Sequence, residues 1–334
     1  MMRLCPPYYQ RLIQARSFDV TYAGGEANVA IALANLGVVT DFVSKLPDNE
    51  LGVACLNFLR QFGMGTSKVI RGGNRLGIFF LETGAVQRGS KVVYDRSNSS
   101  IATVEPNTFD WKSILSDASW FHVTGITPGI SKNCADETLE AVKTAKKMGV
   151  TVSIDLNYRA KLWKWGKQPE EVMTGIVELA NIVVGNEEDA EKVFGIQARG
   201  VDVTAGKVDP EKYKIVAQKL KERFQNLEKV AITIRGSVSA SHNTWSGVLL
   251  DDTSFFTAPK YDITDIVDRV GSGDAFAAGL IYSLIRDPDD SQKALNFATA
   301  LGCLKHTIPG DAAIVTLNEV EALMSGVASG RVAR

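Results

Sequence analysis

Residues 135–155 read ADETLEAVKTAKKMGVTVSID, a helical segment joined to a short apolar strand through Gly149. Glycine commonly ends a helix, and VTVSID is the kind of run that buried parallel strands show. The same unit recurs along the chain. Strand-like runs occupy 38–45, 119–123, 181–185 and 229–234, and helical segments occupy 24–34, 50–62, 169–180, 210–224, 273–285 and 291–305. This alternation predicts an α/β fold with a mainly parallel central sheet flanked by helices.

Two stretches, 17–22 and 75–96, interrupt this alternation and have the pattern of β-ribbons. A ribbon cannot bury both of its faces alone, so we expect a small sheet that covers a cleft or a partner subunit. The sequence therefore predicts an α/β nucleotide- and substrate-binding domain at 23–71 and 97–334. The predicted β-sheet lid comprises 4–22 and 72–96.

The composition narrows the class of protein. The chain has 334 residues, and 37 basic side chains nearly balance 38 acidic ones. This balance argues against general nucleic-acid or membrane-surface binding, since both require clustered basic residues. The four cysteines are far apart and favour neither a zinc site nor a disulfide framework. With no secretory segment and no apolar run of membrane-spanning length, we expect a cytoplasmic protein.

The segment DRVGSGDAFAAG at 268–279 is the sharpest chemical feature. Gly271, Ser272 and Gly273 come directly before a helical pattern, so unpaired backbone N–H groups and the positive end of a helix dipole would meet there. Such a place suits a phosphate group. The segment matches neither a Walker A loop nor the dinucleotide-binding fingerprint. In the alternative interpretation, Ser272 or Asp274 is only a helix N-cap and the glycines only form a turn.

Asp274 is an acid in the first turn of this helix, beside the expected phosphate site. A carboxylate there could accept the proton of a hydroxyl group that attacks phosphorus.

Polar residues also follow the strand VTVSI. At a period of two, Asp155, Asn157 and Arg159 would project to one side at the carboxyl end of the strand, where α/β sheets bind ligands. Arginine forms bidentate hydrogen bonds with carboxylates, so Arg159 suggests an acidic substrate. The alternative is a solvated loop.

Asn186 and Asp189 follow the next strand, NIVVG. Acids at a strand end could bind Mg²⁺, usually through water. They could equally be acids of a first helical turn that face the helix dipole, and the residues alone favour this second interpretation.

With these residues laid out, the chain resembles the ribokinase-like (PfkB) sugar kinases, and within them the 2-keto-3-deoxygluconate kinases. DRVGSGD at 268–274 is similar to the family signature D-T-x-G-A-G-D, and residues 24–28 are similar to its N-terminal G-G-x-x-x-N signature. The narrower resemblance depends on DLNYRAKLW (155–163), VVYDR (92–96), GGNRLGIFFLE (72–82) and CLKHTIPGD (303–311).

The resemblance implies a role for each matching residue. Asp274 would be the catalytic base, and Gly271, Ser272 and Gly273 would form the anion hole for the transferred phosphoryl group. The implied sugar-binding residues are Gly24, Asn28, Tyr94, Arg96, Asp155, Asn157 and Arg159. The implied nucleotide-binding residues are Thr233, Arg235, Gly236 and Ala300, together with Gly271 and Gly273. Asn186 and Asp189 would organise Mg²⁺, and a monovalent cation near Asp268 is compatible with the family.

The chain departs from the family pattern at several places. Ala23 replaces the first glycine of the G-G pair, and Arg269 replaces the signature threonine. Asp189 stands where the family motif has a glutamate. Arg235 interrupts a loop that is usually rich in glycine. Family members also open with an apolar strand before the position of Arg3. Because that strand lies inside the sheet, its absence would leave a groove in the core. We expect the natural protein to be several residues longer.

The sequence thus predicts ATP- and Mg²⁺-dependent phosphorylation of 2-keto-3-deoxy-D-gluconate at its 6-hydroxyl, by a homo-oligomer joined through the lids. Two alternatives stay open. One is a ribokinase-like kinase of a neutral sugar, such as a fructokinase, and the other is a non-catalytic protein that binds sugar acids.

Overall fold

A computed structural model gives the fold of residues 1–197 and 210–327. The remaining residues, 198–209 and 328–334, belong to the larger predicted domain and lie outside this description. The domain boundaries drawn from the sequence stay a prediction.

The described residues form thirteen strands and eleven α-helices, with a short 3-10 helix at Leu12–Gln14. The strands are β1 (Met2–Cys5), β2 (Asp19–Tyr22), β3 (Ser44–Leu46), β4 (Val69–Arg71), β5 (Ile78–Glu82), β6 (Lys91–Asp95), β7 (Trp120–Thr124), β8 (Thr151–Asp155), β9 (Ile182–Gly185), β10 (Lys229–Ser237), β11 (Asn243–Leu250), β12 (Phe255–Thr257) and β13 (Tyr261–Ile263). The helices are α1 (Gly25–Asn35), α2 (Glu50–Arg60), α3 (Trp111–Ile114), α4 (Ile126–Ile130), α5 (Lys132–Lys147), α6 (Pro169–Val177), α7 (Glu187–Phe194), α8 (Pro210–Arg223), α9 (Ser272–Arg286), α10 (Ser291–Lys305) and α11 (Leu317–Met324).

The main sheet has the order β12-β11-β10-β9-β8-β7, with β13 also paired to β11. Strands β7 to β10 are parallel, whereas β11 runs antiparallel to β10 and to β12 and β13. The α/β fold class is therefore confirmed. The sequence analysis missed β11 to β13, because NTWSGVLL mixes polar residues and glycine with apolar ones and does not follow a helix.

Successive side chains of the parallel strands point to opposite faces of this sheet, as a period of two requires. Val183 packs in the core formed with α5, α6, α7 and α8. Its neighbours Ile182 and Val184 pack in the core formed with α1, α9, α10 and α11. Both faces of the sheet are thus covered by helices, and the carboxyl ends of β7 to β10 meet at one edge.

A separate four-stranded sheet has the order β2-β1-β5-β6 and is called the lid sheet below. Strand β1 pairs antiparallel with β2 and parallel with β5. On one face, Phe79 and Tyr94 lie opposite each other and line the large cavity of the protein. On the other face, Leu4 lies opposite Val20 and Phe80, and Phe80 lies opposite Val93.

A gap separates the main sheet from the small parallel pair β3–β4. The sequence predicted a strand over 38–45, but β3 covers only Ser44–Leu46. Strand β7 is the last strand of its sheet, and β3 pairs with β4 alone. Between them lies part of a cavity of about 930 Å³, lined here by partly buried apolar side chains such as Val43, Trp120 and Phe121.

Two polar groups are buried at this gap. The Met1 ammonium group donates a hydrogen bond to the Ala23 carbonyl oxygen at 2.8 Å, and burial lowers its pKa. Burial also lowers the pKa of His122 on β7 to about 4, and its Nε2 atom has no partner in the described part of the chain. The gap therefore combines apolar walls, two strand edges and one buried polar atom without a partner in the described part of the chain.

Candidate active site

Most of the residues singled out from the sequence line one cavity, at the carboxyl edge of the main sheet and beneath the lid sheet. These are Gly24, Asn28, Tyr94, Arg96, Asp155, Asn157, Arg159, Asn186, Asp189, Thr233, Arg235, Gly271, Ser272, Gly273 and Asp274. Gly236 and Ala300 do not line it. Residues up to 250 positions apart in the chain therefore meet at one open site.

The turn before α9 has a shape that only glycine permits. Gly271 has a φ angle of +84°, and a Cβ atom on it would lie 1.8 Å from the backbone oxygen of Asp311. Gly273 faces open space, since a Cβ atom there would meet nothing within 4 Å. The first N–H groups of a helix lack intrahelical partners. In α9 the Ser272 N–H donates to the Arg269 backbone oxygen at 3.4 Å, so the Gly273 N–H is the first one of this helix that is available at the cavity. We call this turn, residues 271–273, the anion cradle.

Asp274 lies beside the anion cradle and is 8% exposed. Its Oδ2 atom accepts a hydrogen bond from Asn28 Nδ2 at 2.7 Å, because α1 packs against α9. Burial raises the pKa of Asp274 to about 6 against the opposing effect of the Asn28 hydrogen bond. A carboxyl group in this condition exchanges a proton readily near neutral pH.

Asp155, Asn157 and Arg159 all reach the cavity, but not by the extended path that the sequence suggested. Strand β8 ends at Asp155, whose Oδ1 atom accepts the backbone N–H of Asn157 at 3.0 Å. Asn157 has a φ angle of +35°, so the chain turns there. The expectation of a period of two was wrong because this Asx-type turn interrupts the extended backbone. Asp155 and Asn157 are buried, and Arg159 is exposed at the rim.

Buried carboxylates dominate the electrostatics of this part of the cavity. Burial, followed by the negative charges of Asp189 and Asp274, raises the pKa of Asp155 well above its usual value. Burial also raises the pKa of Asp189. The Arg159 guanidinium group opposes these shifts at Asp155, Asp189 and Asp274, so its charge acts on all three carboxylates.

Asn186 and Asp189 form a capping box at the start of α7. Asn186 Oδ1 accepts the Asp189 N–H at 2.8 Å, and Asp189 Oδ2 accepts the Asn186 N–H at 3.1 Å. Asp189 Oδ1 also accepts the Tyr158 N–H at 2.9 Å. The helix-capping interpretation is therefore correct for these side chains, and Asp189 in addition anchors the turn that carries Asn157 and Arg159.

The nucleotide-binding residues implied by the resemblance require two corrections. No loop follows Thr233, since β10 continues to Ser237 and Gly236 pairs with Thr244. Ala300 is completely buried in the core between α9, α10 and β11, so its side chain is not available to a nucleotide in the cavity. Thr233 and Arg235 do line the cavity.

The lid sheet provides the wall opposite the anion cradle. The ring of Tyr94 lies 6.1 Å from that of Phe79, centroid to centroid. Arg96 follows β6, and burial lowers its pKa below the usual arginine value. Its Nε atom is buried and has no partner among the residues that the structure describes. Arg96 is thus a cation at the cavity with an unused hydrogen-bond donor.

The sequence analysis missed Glu26, which lines the cavity on the first turn of α1. Glu26 Oε1 accepts hydrogen bonds from Thr124 N, Thr124 Oγ1 and Thr127 Oγ1 at 3.0, 2.9 and 2.7 Å. These contacts tie α1 to the end of β7. The sequence signal that could have identified Glu26 is its position directly after Gly24 and Gly25.

The cavity contains no preformed metal centre. Within residues 1–197 and 210–327, no three histidine, cysteine or acidic side chains are grouped so as to hold a metal ion. None of the described helices is both long and apolar enough to span a bilayer.

Comparisons with known proteins agree with this geometry. The family model described as pfkB family carbohydrate kinase matches residues 1–316. A 2-dehydro-3-deoxygalactonokinase of Haloferax volcanii is 32% identical over 99% of this chain and 96% of its own length. A 2-dehydro-3-deoxygluconokinase of Bacillus subtilis is 30% identical over 91% of this chain and 86% of its own. The solved structure of 2-dehydro-3-deoxygluconokinase from Thermotoga maritima is 46% identical, with a TM-score of 0.92, and the match covers 98% of this chain and 97% of that one.

These matches extend over almost the whole chain and include both the anion cradle and the lid sheet, so the resemblance drawn from the motifs and the ribokinase-like fold are both confirmed. The chain belongs to the pfkB family of carbohydrate kinases.

Proposed function

We propose that this kinase transfers the γ-phosphoryl group of ATP to the 6-hydroxyl of 2-keto-3-deoxygluconate, giving ADP and 2-keto-3-deoxy-6-phosphogluconate. The observation that carries the proposal is that the buried Asp274 and the rim residue Arg159 line one cavity together with the anion cradle, close enough for the Arg159 charge to act on Asp274. A proton acceptor, a phosphate site and a carboxylate-binding cation are thereby placed together. The activities for which the relatives above are named support the same substrate class.

In this mechanism the 6-hydroxyl oxygen attacks the γ-phosphorus, and the bond between that phosphorus and the β–γ bridging oxygen breaks. Asp274 accepts the hydroxyl proton, for which a pKa of about 6 is suitable. The N–H groups of the anion cradle stabilise the charge on the transferred phosphoryl group, and they require no reorganisation because Gly271 is locked against Asp311. The lid sheet limits the access of water to the reacting groups.

The residues at the carboxyl ends of β8 and β9 fit a Mg²⁺ ion. Asp155 and Asp189 contribute carboxylate oxygens to the cavity, and Asn157 Oδ1 is buried without a partner in the described chain. Oxygen atoms are the ligands that Mg²⁺ prefers. Asp189 would hold the ion together with Asn157, and with Asn186 through water. When bound, the ion would neutralise phosphate charge.

Replacement of Asp274 by asparagine is expected to lower kcat by roughly 10²–10⁴-fold, because the amide cannot accept the proton. The amide oxygen can still accept the Asn28 hydrogen bond, so the Kd for the sugar acid should change little. Steady-state kinetics and calorimetric titration measure the two effects. The matched control is Asp289→Asn, at an exposed acid beyond the end of α9. An unchanged kcat in Asp274→Asn would refute its assignment as the base.

The pH dependence follows from the raised pKa of Asp274. Below about pH 6 the carboxyl group is protonated and cannot act as a base, so kcat/KM should rise as the pH increases through about 6 and then level off. A pH profile of kcat/KM for the unmodified enzyme tests this. A profile that stays flat between pH 5 and 7 would contradict a base at Asp274.

Arg159 and Arg96 are proposed to bind the substrate carboxylate. The relatives named above act on keto-deoxy acids of both the gluconate and the galactonate series, so both epimers belong in the assay. An assay with ATP should show turnover with one or both acids in preference to fructose. Preferred turnover of fructose would favour the fructokinase-like alternative, and binding of a keto-deoxy acid without ATP turnover would favour the non-catalytic one.

Replacement of Arg159 by leucine should raise KM for the keto-deoxy acid by roughly 10–100-fold, the effect of losing a charge-assisted hydrogen bond. The residual turnover of fructose should change much less. Lys164→Leu, at an exposed cation of the same loop, is the control. Equal losses for the acid and for fructose would show that Arg159 does not recognise the carboxylate.

We also propose that two copies associate through their lid sheets. The outer face of the lid sheet carries Leu4, Val20, Phe80 and Val93 in adjacent register positions, and Val20 and Val93 are 53% and 51% exposed. The ring of Phe18 extends this face by packing on Phe80 at 5.6 Å. A second copy of the same apolar face would cover it.

Val20→Asp should shift the assembly toward monomers, since it places a charge in the proposed contact. Light scattering coupled to size-exclusion chromatography gives the mass of each form. Ile215→Asp, at an exposed apolar residue of α8, should leave the mass unchanged. A monomeric unmodified protein would exclude the contact.

A cytoplasmic location stays a prediction, with which four free thiols are consistent.

A further inference from the structure

Lys305 at the end of α10 is fully buried, although lysine is seldom buried without a specific partner. Its ammonium group donates hydrogen bonds to the backbone oxygens of Asp268 and Ile308, at 3.1 and 3.0 Å. Burial lowers its pKa, whereas the carboxylates of Asp268, Asp311 and Asp274 act to keep it charged. A cation is thus held by two carbonyl groups from different segments, directly behind the catalytic region.

Arg3 adds a second buried cation. It lies on β1 of the lid sheet, is 5% exposed and forms ion pairs with both Asp268 and Asp311. Two cations and two carboxylates therefore balance in charge. We call Arg3, Asp268, Lys305 and Asp311 the ion cluster. Buried charges are costly unless they are paired or hydrogen-bonded. Arg3 is ion-paired with Asp268 and Asp311, and Lys305 is hydrogen-bonded to two backbone oxygens.

The ion cluster is connected to the anion cradle by short hydrogen bonds. Asp268 Oδ1 accepts the Val270 N–H at 3.0 Å, and Asp268 Oδ2 accepts the Gly310 N–H at 3.2 Å. The backbone oxygen of Asp311 occupies the space that a Cβ atom on Gly271 would need. Lys305 therefore joins the segment before the cradle to the segment that packs against it, and a shift of its ammonium group would move the cradle N–H groups.

We propose that Lys305 acts as a tethered monovalent cation that positions the anion cradle, a role that rests on the proposed kinase function. A free monovalent cation near Asp268 would require carbonyl and carboxylate oxygens of the kind that surround Lys305. The ammonium group already takes the carbonyl oxygens of Asp268 and Ile308, and the charges of the ion cluster cancel without a further ion. Lys305 is a positioning residue, since it acts on the phosphoryl group through the cradle.

The first arm of the test uses the unmodified enzyme with ATP and the keto-deoxy acid. Its kcat should change less than about twofold when choline replaces K⁺ at constant ionic strength, because the Lys305 ammonium group already occupies the cation site. An active enzyme that needs K⁺ or NH₄⁺ would overturn the inference and leave the kinase function standing. Absence of ATP turnover with either epimer would instead remove the proposed function, and the inference with it.

The second arm uses Lys305→Met, which keeps the length of the side chain and removes the charge. Loosening of the cradle should lower kcat by roughly 100-fold with little change in KM for the sugar acid. Added NH₄⁺ or K⁺ should raise the kcat of the variant at least about tenfold, because either ion can bind to the oxygens that the ammonium group contacted in the unmodified enzyme. Choline is too large to bind there and should leave kcat unchanged. A purely structural role would not give rescue that depends on cation size.

Lys293→Met is the control, since Lys293 is an exposed lysine on the same helix, and its kcat should be unchanged in every salt. Thermal unfolding of Lys305→Met with and without NH₄⁺ shows whether the variant is folded. A folded variant with an unchanged kcat, or with a loss that neither ion reduces, would overturn the inference. If the variant does not fold, the decision rests on the first arm, which requires no substitution.

Discussion

The contact on which the site depends is the close approach of Gly271 to the backbone oxygen of Asp311. A Cβ atom at position 271 would lie 1.8 Å from that oxygen, so any other residue would push α9 away from the segment after α10. This contact sets the direction in which α9 begins. The direction in turn places the N–H groups of the anion cradle and the carboxyl group of Asp274 at the cavity. The ion cluster is bonded to both partners of this contact, since Asp268 accepts the N–H groups of Val270 and Gly310, which precede Gly271 and Asp311 in the chain.

The charges of the site are arranged in two layers. Asp268 and Asp311 lie behind the cradle and are matched by Arg3 and Lys305. In front of it, Asp155, Asp189 and Asp274 are opposed by the exposed Arg159, and their pKa values are raised by burial. The first layer is balanced and suits a structural role. The second layer is acidic, which suits a divalent cation and a proton acceptor, and raised pKa values of this kind are typical of functional sites.

Local patterns in the sequence predicted the parts of the structure that depend on neighbouring residues. Strands β7 to β10 lie within two residues of their predicted starts, because apolar runs between helices have few other stable arrangements. The glycines and acid of DRVGSGD indicated a phosphate site for the same local reason. Asn157 was correctly expected at the cavity, but the turn at this residue was not predicted, because the Asx-type hydrogen bond with Asp155 ends the extended backbone. Ala300 was misassigned because the resemblance indicates a helix near the nucleotide but not which of its residues are buried in the core.

The sequence by itself determined the α/β architecture, the family signature and the position of Asp274 directly after the anion cradle, since each is encoded in short stretches. Only the tertiary structure decided that Lys305 and Arg3 meet at Asp268, that Glu26 holds the end of β7, and that β3 and β7 are separated by a gap. These features join residues that lie tens to hundreds of positions apart. Their physical cause is the packing of one layer against another, and no local pattern in the chain records it.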